Sequence, residues 1–169
     1  DDEVYQQRQD PSVSVWVALE NGDRLVAWTT TPWTLPTNLA MAVGEDIEYV
    51  AVRADDGHRY IVAAARLAHY AKEFVGKGND PKTVRSLVEE TLTGRELVGA
   101  RYAPMFDYFA DVERWGTQHA FQVIVSDDVT TEDGTGVVHM APAYGEVDQL
   151  ACTAVGIPTI LSVDDRAAF

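Results

Sequence analysis

Trp28-Thr29-Thr30-Thr31-Pro32-Trp33-Thr34-Leu35-Pro36-Thr37-Asn38 is the stretch on which the reading of this chain turns. It follows Arg24-Leu25-Val26-Ala27, a strand-like run, and ends it abruptly with hydroxyls, two indoles and two prolines, which continue neither strand nor helix. Upstream, residues 12 to 19 alternate polar and apolar side chains. Asn21-Gly22 then supplies the two positive-φ positions of a tight turn before residues 23 to 29 return. The pattern predicts a β-hairpin whose second strand delivers the threonine stretch to a sheet's end, where a rigid scaffold commonly presents a functional loop.

Further sheet follows. Leu39 to Val43 is apolar, and residues 47 to 54 and 59 to 63 flank Asp56-Gly57 as a second hairpin. Over residues 64 to 75 the spacing changes: Leu67, Tyr70, Ala71 and Phe74 recur at helical intervals and Gly76 is placed to end the helix, with His69 off the apolar stripe. Residues 76 to 81 read as a loop and 82 to 91 as a strand. The aromatics from Tyr102 to Phe109 could stack bases, but no cations interleave them, which favours packing on the sheet. Residues 121 to 125 and 137 to 140 read as strands, and 146 to 155 as a short helix closed by Gly156 and Pro158. Many short strands without βαβ alternation predict one α+β, mostly β domain over residues 1 to 169. The expected form is a mostly antiparallel, barrel-like sheet with peripheral helices.

Composition narrows the function. Thirteen Lys and Arg against twenty-seven Asp and Glu give a net charge of -14, which argues against a broad duplex-binding face, so any nucleic-acid contact is local. A single cysteine, Cys152, makes no internal disulfide and suits a reducing cytoplasm; it leaves no thiolate set for zinc, and neither metal nor cofactor is expected. No apolar run reaches membrane-spanning length. The chain opens Asp1-Asp2-Glu3 without methionine, as a segment of a longer protein would.

No Gly-x-Ser-x-Gly, His-Glu-x-x-His, Walker or Cys-x-x-Cys sequence is present, so serine hydrolase, metallopeptidase and phosphate-loop readings lose their usual support. What remains is a second polar stretch, Gly134-Thr135-Gly136-Val137-Val138-His139-Met140-Ala141-Pro142, trailed by Gly145 and Asp148. Singly, each member has a structural reading. Gly134-Thr135-Gly136 makes a tight turn, His139 a buried hydrogen-bonded residue, the threonines local backbone bonds, and Asp148 a favourable charge in a helix's first turn. Asp148 could equally face a pocket and pair with an ammonium group.

Together the two stretches resemble the editing domain of the isoleucyl-tRNA synthetases, the insertion called connective polypeptide 1, and Leu97-Val98-Gly99-Ala100-Arg101-Tyr102-Ala103-Pro104-Met105-Phe106 is similar to the family's middle segment. The related leucine and valine enzymes carry an Arg-Pro-(Asp/Glu)-Thr type of sequence where this chain has Thr31-Pro32-Trp33-Thr34. The resemblance implies hydrolysis of the ester joining valine to the 3' end of the isoleucine tRNA, by an oriented water, without metal or covalent intermediate. It also implies a monomeric segment whose partners are that aminoacylated tRNA end and the remainder of a parent synthetase. Asp148 would pair with the substrate ammonium, and Thr30, Thr31 and Asn38 would bind the adenosine, the ester region and the water. Thr29, Trp33 and Thr34 would support substrate binding, and His139 would line the amino-acid sub-pocket or, less favoured, act as a base. The competing expectation is a non-catalytic barrel that binds the aminoacylated end or another domain.

Overall fold

The first turn differs from the expected pair of positive-φ positions: Gly22 has φ 94° but Asn21 does not, because the loop is longer, with the Gly22 N–H donating to the Leu19 carbonyl at 2.9 Å, the Leu19 N–H to the Asp23 carbonyl at 2.8 Å, and the Asp23 N–H to Asn21 Oδ1 at 2.9 Å. The turn joins β1 (Val13–Ala18) to β2 (Arg24–Thr29), antiparallel from Val13↔Thr29 to Ala18↔Arg24. The computed structural model describes residues 13–75, 85–106 and 111–159. The other strands are β3 (Ala40–Val43), β4 (Glu48–Arg53), β5 (Arg59–Ala63), β6 (Val88–Thr93), β7 (Gln122–Val125) and β8 (Val137–Met140). All eight belong to one sheet, ordered β6-β4-β5-β2-β8-β3-β7, with β1 on β2.

Antiparallel pairing carries most of the register, including the β4–β5 hairpin around Gly57 and the β3–β8 pair from Ala40↔Met140 to Val43↔Val137. Three pairings are parallel: β2 with β5, β2 with β8, and β3 with β7. β2 thus passes from one neighbour to another, meeting β5 at Arg24 and Leu25 and β8 at Trp28. This hand-over brings the strand preceding the threonine stretch beside the strand carrying His139.

Successive residues of β2, β4 and β5 point to opposite faces, as strand geometry dictates. Leu25, Ala27, Tyr49, Ala51 and Ile61 enter one core with Leu39, Met41 and Ile124. Val26, Val50, Val52 and Val62 enter a second, closed by Leu67, Tyr70 and Phe74 of α1 (Leu67–Val75). Burial on both faces explains why these strands read as nearly unbroken apolar runs.

The strand expected over 82 to 91 begins later and runs further. Arg85 and Ser86 lie in a helical turn, and β6 spans Val88–Thr93, while 82 to 84 fall outside the described residues. β6 pairs with β4 from Glu48↔Thr93 to Val52↔Val88, and ion pairs accompany that register, Arg53 with Glu89 at 2.9 Å and Arg59 with Glu90 at 2.9 Å. A capping box between Thr93 and Glu96 then starts the short α2 (Gly94–Leu97). The chain continues through α3 (Val112–Trp115) to α4 (Glu146–Thr153), which Gly156 follows with φ 83°. Gly76, the loop to residue 81 and residues 107 to 109 of the aromatic run lie outside the described residues.

Candidate functional site

Beyond β2 the backbone folds into a 3₁₀ turn, Pro32–Thr37. Pro32 occupies a first-turn position where no N–H is needed, and the Thr34 N–H donates to the Thr31 carbonyl at 3.0 Å. The threonines then bind one another: the Thr31 N–H donates to Thr29 Oγ1 at 3.0 Å, Thr31 Oγ1 lies 3.2 Å from Thr29 Oγ1 and 3.3 Å from Thr34 Oγ1, and the Thr37 hydroxyl donates to the Thr34 carbonyl at 2.7 Å. Thr29, Thr34, Thr37 and Asn38 are buried, whereas Thr30 and Thr31 are exposed and Trp33 presents 66% of its surface. The local bonding expected of threonines and the open polar rim expected of a binding loop therefore coexist, with Thr31 belonging to both.

His139, on β8, joins this loop to the sheet. Its Nε2 lies 2.8 Å from Thr34 Oγ1 and its Nδ1 2.8 Å from Asn38 Nδ2. The ring is 5% exposed, and burial pulls its pKa down to about 4, so it is neutral at physiological pH. The partners identify which nitrogen holds the proton. Asn38 Nδ2 donates to the Ala40 carbonyl at 2.8 Å and Asn38 Oδ1 accepts from the Tyr102 hydroxyl, so the amide orientation is fixed and its remaining hydrogen faces His139 Nδ1. Nδ1 is then an acceptor and Nε2–H a donor to Thr34 Oγ1, whose own hydroxyl donates to the Thr31 carbonyl at 2.8 Å.

Two expected roles shift on this geometry. Both Nδ2 hydrogens of Asn38 are engaged by protein groups and its Oδ1 accepts from Tyr102, so the side chain holds His139 in place and has no hydrogen left to donate to a water. His139 has one nitrogen occupied by a donor and the other already protonated, which leaves no free lone pair for proton abstraction.

Asp148, in the first turn of α4, sends Oδ2 back to the Ala141 N–H at 2.9 Å, just past the end of β8. The carboxylate is half-buried and its pKa is raised by desolvation, only partly offset by that bond. Among the described residues no cation pairs with it. Burial, then the Asp148 charge, pushes the Cys152 thiol up to about 12, so Cys152 stays protonated and is not a nucleophile.

Gly134-Thr135-Gly136 is more than a turn. Thr135 is fully buried, its hydroxyl donates to the Val26 carbonyl at 2.7 Å, and its carbonyl accepts from the Ala63 N–H at 2.8 Å. It fills the gap where β2 parts from β5. Arg66 fixes the approach, its Nε donating to the Gly134 carbonyl at 2.7 Å. Sequence reasoning missed Tyr102, Arg66 and the bridging function of Thr135. Tyr102 stood only within an aromatic run, and its ring does pack, edge-on to Phe121 at 6.1 Å. Among the described residues no cluster of His, Cys, Asp and Glu could hold a metal ion, and no helix is long and apolar enough to cross a membrane.

No family model matches the chain. The isoleucine–tRNA ligase of Leifsonia xyli subsp. xyli is 48% identical over 193 residues, covering 100% of this chain and 17% of the relative. That of Mycobacterium tuberculosis strain H37Rv is 50% identical over 177 residues, covering 100% and 16%. This chain thus spans 16–17% of the length of these curated relatives. Among solved structures, the P. knowlesi cytosolic leucyl-tRNA synthetase editing domain superposes with a TM-score of 0.62 at 14% identity, covering 87% of this chain and 67% of that one. GlLeuRS-CP1 superposes at 0.56 with 20% identity, covering 75% and 41%. The chain belongs to the isoleucine–tRNA ligase family as a segment of those longer proteins, and it has the fold of the leucyl-tRNA synthetase editing domains.

Proposed function

We propose that this segment proofreads for an isoleucine–tRNA ligase by hydrolysing the ester between valine and the 3' end of the isoleucine tRNA. A pocket shaped for isoleucine disfavours valine by only about 1 to 3 kcal/mol, and this amino-acid pair is the standard worked example of that limit. A second, hydrolytic site restores fidelity.

The observation that carries the reading is Asp148: a half-buried carboxylate with no cation partner among the described residues, anchored at the end of β8, the strand whose His139 is bonded to the threonine loop. Desolvation that the Ala141 N–H offsets only in part favours capture of a cation, and the free α-ammonium of an aminoacyl ester supplies one. Thr30 and Thr31, at the exposed rim, orient the ester and the water, and the exposed Trp33 indole offers a stacking surface to the terminal adenine. Water attacks the carbonyl carbon, the C–O bond to the ribose breaks, and the ribose oxygen leaves with a proton. The ester is already activated, so positioning and hydrogen bonds to the developing oxyanion supply the rate. His139 serves as a fixed neutral wall beside the amino-acid side chain.

Incubating the chain, and separately its parent synthetase, with valyl- and isoleucyl-tRNA of isoleucine specificity tests the proposal. Valine is expected to be released faster than isoleucine and faster than without protein. Loss of valine at the uncatalysed rate in both preparations would leave the binding-module reading in its place. Asp148→Asn keeps an acceptor for the Ala141 N–H but loses the charge, so valine release should fall about 10- to 100-fold with thermal unfolding preserved. Retained activity would refute the ammonium role.

A further inference from the structure

We propose that Tyr102, reaching the site from 64 residues away through Asn38, is a positioning residue that sets the tautomer of His139 and with it the conformation of the threonine loop. The inference rests on the editing role argued above, but its structural half can be tested without it.

Four hydrogen bonds run in one direction. The Tyr102 hydroxyl donates to Asn38 Oδ1, Asn38 Nδ2 donates to His139 Nδ1, His139 Nε2–H donates to Thr34 Oγ1, and the Thr34 hydroxyl donates to the Thr31 carbonyl. No link can reverse by itself. Turning the Asn38 amide over would set its carbonyl against the Ala40 carbonyl, which now accepts from Nδ2 at 2.8 Å. Moving the His139 proton to Nδ1 would set two donors against each other at Asn38 and oblige the Thr34 hydroxyl to leave the Thr31 carbonyl.

Tyr102 heads this run of bonds and, with the Ala40 carbonyl, is one of two fixed groups that hold the Asn38 amide. Its ring is 5% exposed and packed edge-on against Phe121, and burial holds its hydroxyl pKa well above the ordinary value, so it is a donor at neutral pH. The other end is the exposed Thr31. A hydrogen-bond donor deep in the fold therefore dictates how an open substrate-facing loop is presented, which a residue that merely fills space would not do.

The test is nitrogen NMR of His139 in the 169-residue chain, read together with release of valine from valyl-tRNA. The wild type should show a single tautomer at neutral pH with the proton on Nε2; a proton on Nδ1 would overturn the proposal outright. Asn38→Asp replaces the donor with an acceptor at constant shape and should move the His139 proton to Nδ1. Tyr102→Phe keeps the ring and removes only the hydroxyl; with the Ala40 carbonyl left as the sole hold on the Asn38 amide, the Nδ1-protonated tautomer should appear as a minor state and valine release should slow about tenfold, the loss expected for an unpaired buried acceptor. Wild-type spectra and rates in Tyr102→Phe would reduce Tyr102 to packing. The expected tautomer pattern in a chain that releases no valine would sink the editing reading while leaving the hold on His139 intact.

Discussion

At the residue scale His139 decides most. Its position between valines and a methionine reads as a buried, hydrogen-bonded histidine, and so it is; the structure adds that the same bonds hold the threonine loop. Asn38 and Tyr102 were illegible in these roles because their contacts cross 101 and 64 residues of sequence, beyond any local period. The buried ring has a consequence for stability. In the folded chain it takes up a proton near pH 4, against 6.5 for the free side chain. Between those values the unfolded chain binds more protons, so this contribution is complete above pH 6.5 and is lost on acidification towards pH 4. The loss should reach about 3 kcal/mol at pH 4. Denaturant unfolding of wild type and His139→Gln between pH 7 and 4 isolates it: the wild type should lose stability more steeply, and parallel profiles would show that the ring titrates normally.

At the element scale the hairpins, the helix over α1 and the turn at Gly134-Thr135-Gly136 were legible because each is written in neighbouring residues: Asn-Gly and Asp-Gly turns, 3.6-residue spacing, paired glycines. The parallel pairings were not, since strands β3 and β7, or β2 and β8, meet only after long excursions of the chain. Thr135 shows what those excursions build. Its hydroxyl and carbonyl tie β2 to β5 where their own ladder has ended, and Gly136, at φ 80°, passes so close that an added Cβ would lie 2.6 Å from Ala63 Cβ. Thr135→Val should cost about 1–3 kcal/mol by leaving a buried carbonyl unpaired, and Thr135→Ser should recover most of it. Gly136→Ala combines a left-handed backbone with overpacking, each costing about 1–3 kcal/mol, and should be the more damaging. Urea midpoints give the order; a Gly136→Ala protein as stable as wild type would mean that the wedge is loose.

At the scale of the whole molecule the net charge of -14 sets how this chain meets a polyanion. The described arginines add little attraction, because most are already engaged: Arg53 with Glu89, Arg59 with Asp23 and Glu90, Arg95 with Glu45 and Asp46, and Arg66 and Arg101 with backbone carbonyls. A protein that grips nucleic acid through several phosphates loses affinity steeply as salt rises, in proportion to the contacts made. Here the long-range term has the opposite sign, since an acidic body approaches an acidic tRNA and salt screens their repulsion over about 10 Å at 0.1 M. If only the single-stranded terminus enters, through hydroxyls, an indole and one carboxylate, raising salt from about 20 to about 150 mM should leave kcat/KM for valyl-tRNA unchanged or raise it in the isolated chain. In the parent synthetase, whose remaining mass would carry the phosphate contacts, the same change should lower it. A steep fall with salt in the isolated chain would mean that a cationic tRNA-binding face exists on this segment, and the division of labour between body and proofreading module would have to be redrawn.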